Sequence, residues 1–157
     1  MIESMSIPAI FSGLSSAAST AKEFRELLRG KKGDTRALLE EVKKNLSLCW
    51  MVVERDTELA RIIPELTTLE YDRLLRAGFN FNSLNRKKIQ GSPRLAESDL
   101  SSFIGKETED LVENIYDKIK TLKLIYRVDE DNPRIRWRRR IVNVQKRMLL
   151  LMEHLRS

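Results

Sequence analysis

Residues 132–156 read NPRIRWRRRIVNVQKRMLLLMEHLR, arginine-rich at the start and rich in leucine and methionine at the end. The halves look like separate messages, yet one period runs through both. Trp137, Ile141, Val144, Met148, Leu151 and Leu155 recur at alternating steps of four and three. That spacing aligns side chains along one face of an α-helix. A disordered cationic tail has no reason to keep an aromatic–aliphatic seam in register. The stretch therefore reads as one amphipathic helix whose seam is core. Leu149 and Met152 widen the seam, and Leu150, well away from it, signals a second contact.

The same period recurs upstream. Ile10, Leu14, Ala17, Ala21, Phe24 and Leu28 form a first stripe, with Ser6 and Pro8 as a start and Gly30 as a stop. GKKGDT then reads as a tight turn, with Asp34 capping the next helix. Leu38 or Leu39, Val42, Leu46, Cys49, Val53, Asp56, Ala60 and Ile63 predict a long second helix ending at Pro64. It would extend about 45 Å at 1.5 Å per residue. Trp50, Met51 and Val52 broaden its apolar face. Thr68 starts a shorter helix, LEYDRLLRA, anchored by Leu69, Leu74 and Leu75 and stopped at Gly78.

Residues 79–98 form an irregular connection, pinned at its beginning by Phe79, Phe81 and Leu84. From about Ser101 the helical period returns through Ile104, Leu111, Ile115, Ile119, Leu122 and Tyr126. No segment carries the period-two pattern of a strand. The expectation is an all-α fold: a single helical-bundle domain over 1–157, with four substantial helices, at least one short helix and no substantial sheet.

The chain has 157 residues, enough to bury a core without staples, and a formal net charge of +6. Its one cysteine, Cys49, lies in an apolar stripe and reads as a buried, inert thiol suited to a reducing, cytoplasmic compartment. No run approaches the roughly 20 apolar residues of a membrane span. IESMSIPAIFSGLSSAAS has the small-residue texture of a secretory signal but no basic leader, and it continues into a charged amphipathic segment. It reads as the start of the first helix.

Between residues 134 and 147 stand Arg134, Arg136, Arg138, Arg139, Arg140, Lys146 and Arg147, with no acid among them. Such a set needs water, acidic neighbours or an external anion. Glu107, Glu109, Asp110, Glu113 and Asp117 on the preceding helix offer internal partners. These seven cations are also the candidate surface for an anion or nucleic acid. No phosphate loop, zinc-finger spacing or helix-turn-helix signature accompanies them, and GKET at 105–108 lacks the upstream strand and glycine of a nucleotide loop. Trp137 could stack a base, but its place on the seam reads as core.

Arg147 and His154 lie seven residues apart, on nearly the same face as Arg136 and Asn143. The spacing resembles the R-x(4–6)-H element of the HEPN ribonucleases, which are all-helical and usually build their active site across a dimer. The resemblance implies that Arg147 positions a scissile phosphate and that His154 transfers a proton in RNA cleavage. It spans eight residues, with Met148 where a polar residue is common. As the chain's one histidine, His154 also reads as a structural or solvent-exposed residue. One cysteine and one histidine supply no conventional zinc site, and the Glu-x-x-His elements of a di-iron bundle are missing. The sequence thus predicts no metal, no cofactor and no catalytic set. It points to a non-enzymatic interaction module that self-associates or binds a protein partner, with nucleic-acid binding and the nuclease as alternatives.

Overall fold

The computed structural model describes Phe11 and residues 13–157; the first-stripe expectations for Ser6, Pro8 and Ile10 fall outside them. The described residues form an all-α bundle. Its four substantial helices are α1 (Ala17–Leu28), α2 (Gly33–Arg55), α6 (Thr108–Asp129) and α7 (Trp137–Arg156). Shorter helices α3 (Leu59–Ile62), α4 (Leu69–Arg76) and α5 (Pro93–Ala96) lie between α2 and α6. No strand occurs among the described residues, and none of their helices is long and apolar enough to cross a membrane.

Ser16 caps α1. Its hydroxyl accepts the Ser19 N–H at 3.1 Å, and the Ser19 hydroxyl accepts the Ser16 N–H in return. Gly30 then takes φ +81°, a left-handed turn open to glycine. Lys32 stands at the N-cap of α2, while Asp34 lies in its first turn. Rather than capping, the Asp34 carboxylate accepts a hydrogen bond from Arg73 at 3.0 Å.

The long second helix stops at Arg55 instead of running to Ile63. Asp56 turns left-handed at φ 53°, and the Thr57 N–H folds back onto the Met51 carbonyl at 3.1 Å. Arg138 of α7 stabilises this end by donating to the Val52 and Val53 carbonyls at 3.0 and 3.1 Å. The Val53 carbonyl is one that a helix end leaves open, and the Val52 carbonyl also accepts the Asp56 N–H at 3.1 Å. The chain then doubles back, so Ile62, Ile63 and Leu66 enter the core.

Two buried side chains of α2, one turn apart, hold the entry to α4. Asn45 donates to the Thr67 carbonyl at 2.8 Å and accepts the Thr67 N–H at 2.9 Å. The Glu41 carboxylate accepts the N–H groups of Glu70 and Tyr71 at 2.9 and 3.2 Å, at the positive end of α4. This clamp sets the rotation of α4. Tyr71 and Leu74 turn inward, with Tyr71 stacked on Tyr116 at a centroid distance of 4.3 Å. Leu69 and Leu75, expected as anchors, are 75% and 53% exposed.

The 79–98 connection is built from short turns: a 3₁₀ turn at Phe81–Leu84, then α5. Phe81, Ile89 and Leu95 are buried, while Phe79 and Leu84 pack at the core edge. Ile89 also exchanges backbone hydrogen bonds with Gly105 and Lys106. The helical period expected from Ser101 begins only at Thr108. A 3₁₀ turn occupies Ser101–Phe103, and Gly105 at φ +85° separates it from α6. Glu107 and Asp110 form the capping box that starts that helix.

Helix α7 is the centre of the bundle and packs against α1, α2 and α6. Ile141, Val144, Met148 and Leu151 are buried, with Trp137 and Leu155 packed at the two ends of the seam. Leu149, Leu150 and Met152 are buried as well, so the second half of α7 is enclosed around most of its circumference, with Glu153 and Arg156 reaching solvent.

Candidate functional site

The structure divides the seven cations of residues 134–147. Arg138 caps α2 and reaches the Asp56 carboxylate at 3.3 Å. Lys146 is nearly buried and pairs with Asp99 at 2.8 Å. Burial raises the Asp99 carboxyl, but Lys146 outweighs it and holds the group below the usual carboxylate range. The acids that meet these two cations come from the α2 end and the connection before α6, while Glu23 of α1 pairs with Arg156 at the far end of α7 at 2.9 Å. Glu107 and Asp110 cap α6 instead, and Glu109 binds Asn82. Arg134, Arg136, Arg139 and Arg140 stay exposed and form no ion pair among the described residues. Arg134 and Arg136 precede the first turn of α7.

Arg147 and His154 are held by different partners. Arg147 donates to Asn114 Oδ1 and to the Asn143 carbonyl, both at 2.9 Å, and its guanidinium lies 5.9 Å from the centre of the Phe103 ring. Burial pushes its pKa down, partly offset by Asp99. His154 is buried, with Nε2 2.8 Å from Thr108 Oγ1, and burial lowers its pKa. His154 lines a cavity of about 190 Å³ with Phe11, Ile89 and Leu150. The asparagines that hold Arg147 line a different one.

That second cavity, of about 250 Å³, lies between α6 and α7. Asn114, Asp117, Lys118 and Thr121 face it from α6, and Arg140 and Asn143 from α7, over a floor of Leu122 and Val144. Burial first, then the charges of Arg147 and Arg140, push the Lys118 ammonium below the usual lysine range. No carboxylate ion-pairs with Lys118 among the described residues. Lys118 was not singled out in the sequence, where it is one lysine on an amphipathic helix. Its four-residue spacing from Asn114 was the available signal.

A larger groove of about 630 Å³ opens on the other side of α6. Ala60, Ile63, Pro64 and Thr68 form one wall, and Lys120, Lys123, Leu124, Tyr126, Arg127 and Glu130 form the other. Leu124 is 53% exposed, and Val128, one turn on, is 71% exposed. Lys123 donates to the carbonyls of Pro64 and Leu66, and Lys120 pairs with Asp72 at 2.6 Å, so both tie the walls together. Arg127 is exposed and forms no ion pair among the described residues.

No group of three or more His, Cys, Asp or Glu side chains is placed to hold a metal among the described residues. Cys49 is buried, which pushes its thiol up to about 12. No family model, curated protein or solved structure matches the chain.

Proposed function

We propose that the chain is a non-enzymatic helical docking module whose groove between α6 and the 60–68 segment receives an amphipathic helix of a protein partner. The observation that carries this reading is the placement of Leu124 and Val128. They are large apolar side chains one turn apart, exposed beside the larger groove of the molecule. An i, i+4 ridge next to a groove is the surface that an incoming helix uses through its own i, i+3, i+4 and i+7 anchors. Lys120, Lys123 and Arg127 line the groove against one acid of its lining, Glu130, and this cationic surplus favours acidic residues beside the partner's apolar stripe. A second copy of this chain carries a formal net charge of +6 and the same cationic groove, which favours a different, acidic protein as the partner. A cytoplasmic setting suits the single buried thiol.

The test is fluorescence anisotropy with a labelled synthetic amphipathic peptide, its leucine stripe flanked by glutamate or, in a second version, by lysine. Saturable binding of the glutamate form is expected, at least tenfold tighter than the lysine form. Leu124→Ser with Val128→Ser should weaken it at least tenfold. Equal binding of the two peptides, or binding indifferent to the double substitution, overturns the reading. So does a sedimenting dimer that the double substitution converts to monomer.

A further inference from the structure

We infer that the smaller groove between α6 and α7 is a binding site for the phosphate backbone of nucleic acid, independent of the docking groove on the other side of α6. Lys118 and Arg140 meet across it from facing helices, with Arg147 behind them. Among the described residues, none of these three side chains has an ion pair within the chain. Three cations brought together repel one another, with Asp99 offsetting only part of the effect at Arg147, and an anion between them removes that repulsion. Asp117 is the one acid of the lining and stays without an ion pair there.

The neutral groups suit phosphate oxygens. Arg147 engages the side-chain oxygen of Asn114, leaving that amide's N–H groups available to donate. Thr121 and Asn143 add a hydroxyl and a second amide. Arginine can grip phosphate through two parallel N–H bonds, and lysine acts as a point charge beside it.

The cations do not stop at the cavity. Arg136, Arg140, Asn143 and Arg147 continue at steps of four, three and four along one line, and exposed Arg139 lies beside it. At 1.5 Å per residue, that line covers about 17 Å, far longer than one phosphate. A polymer of phosphates matches the length, and a free phosphate leaves the outer arginines without a partner. An anionic membrane fits less well. It calls for an exposed apolar stripe beside the cations, and the apolar stripe of α7 is buried in the core. Trp137, half-buried at the end of the seam, packs edge-on against Tyr126 at 5.0 Å and is committed to that contact rather than to stacking a base. Binding is therefore directed at the backbone and indifferent to base sequence.

The experiment is fluorescence anisotropy of the full chain with labelled single-stranded RNA and DNA of mixed sequence, across a potassium chloride series. Inorganic pyrophosphate, an acidic polypeptide and phosphatidylserine vesicles serve as separate arms. Saturable, salt-dependent binding to the oligonucleotides is expected. Lys118→Gln with Arg140→Gln should weaken it at least tenfold and flatten the log–log salt slope by about 1.4, two phosphates at roughly 0.7 each. Arg136→Gln with Arg139→Gln, at exposed positions outside the cavity, should also flatten the slope and guards against loss of the fold in the first pair. Unchanged slopes in both pairs overturn the inference. Equal affinity for pyrophosphate overturns it in favour of a small-phosphate site. Preferential binding of the polypeptide or the vesicles overturns it in favour of those surfaces. Leu124→Ser with Val128→Ser should leave oligonucleotide binding unchanged, which separates this site from the docking groove.

Discussion

Nε2 of His154, near the end of α7, lies 2.8 Å from Oγ1 of Thr108, in the first turn of α6. Thr108 directs its one hydroxyl proton to the Asn85 carbonyl at 2.7 Å, so its oxygen must accept from His154. The imidazole therefore carries a proton on Nε2, and burial, which lowers its pKa, favours the neutral form of that tautomer. The Asn85 amide closes the loop by donating to the His154 carbonyl at 2.9 Å. One side chain thus joins α7, α6 and the 79–98 connection. This network gives His154 a structural role.

Burial lowers the His154 pKa below its ordinary 6.5, and this sets the sign of a pH effect. Between the folded value and 6.5 the unfolded chain binds more protons, so stability rises with pH across that window. It is fully present above 6.5 and is lost as pH drops through the folded pKa. Urea unfolding from pH 7.5 to 5 should show this decline in the natural chain. His154→Gln should remove the pH dependence within the window, because no other histidine is present. An identical decline in the variant would contradict the buried neutral imidazole.

Asn45 makes both of its hydrogen bonds to the backbone of Thr67. Asn45→Ala leaves a donor and an acceptor of the turn without partners and should cost about 2 kcal/mol by urea unfolding. Amide exchange should rise first at residues 67–71. A loss below about 0.5 kcal/mol would mean that water replaces the clamp.

Leu74 and Leu69 share α4 and differ in burial. Leu74→Ala should cost about 2–5 kcal/mol through the cavity that it leaves. Leu69→Gln should stay within about 0.5 kcal/mol, as surface changes usually do. Similar midpoints for the two variants would refute the rotation of α4 set by Glu41 and Asn45.

Cys49, with its thiol pushed up to about 12 by burial, should resist a thiol-specific reagent at pH 8. Its labelling rate should follow global unfolding and rise with urea. Rapid labelling without denaturant would place the thiol on the surface.

The seam of α7 was legible because its period survives intact from Trp137 to Leu155, through a change of composition that hides it from the eye. The end of α2 was not. Ala60 and Ile63 continue the spacing in phase, and the break falls at Asp56, a residue that tolerates the left-handed region without glycine or proline to mark it. Tyr71 was missed as an anchor because leucines flank it, and only the Glu41 clamp selects among the rotations of α4. The division of the basic residues was hidden for a related reason. Which arginine meets a helix end, an aspartate or solvent depends on long-range packing, as Arg138 and Val52 show.

That division is tested most directly by comparing the urea unfolding free energies of Arg138→Gln and the triple variant Arg136→Gln, Arg139→Gln, Arg140→Gln. Arg138 satisfies the end of α2, so its loss should cost about 1–2 kcal/mol. The triple variant removes exposed cations near the positive end of α7. Its stability should stay within about 0.5 kcal/mol of the natural chain or rise slightly. A triple variant less stable than Arg138→Gln would show that the free arginines are structural, contradicting the open cationic surface.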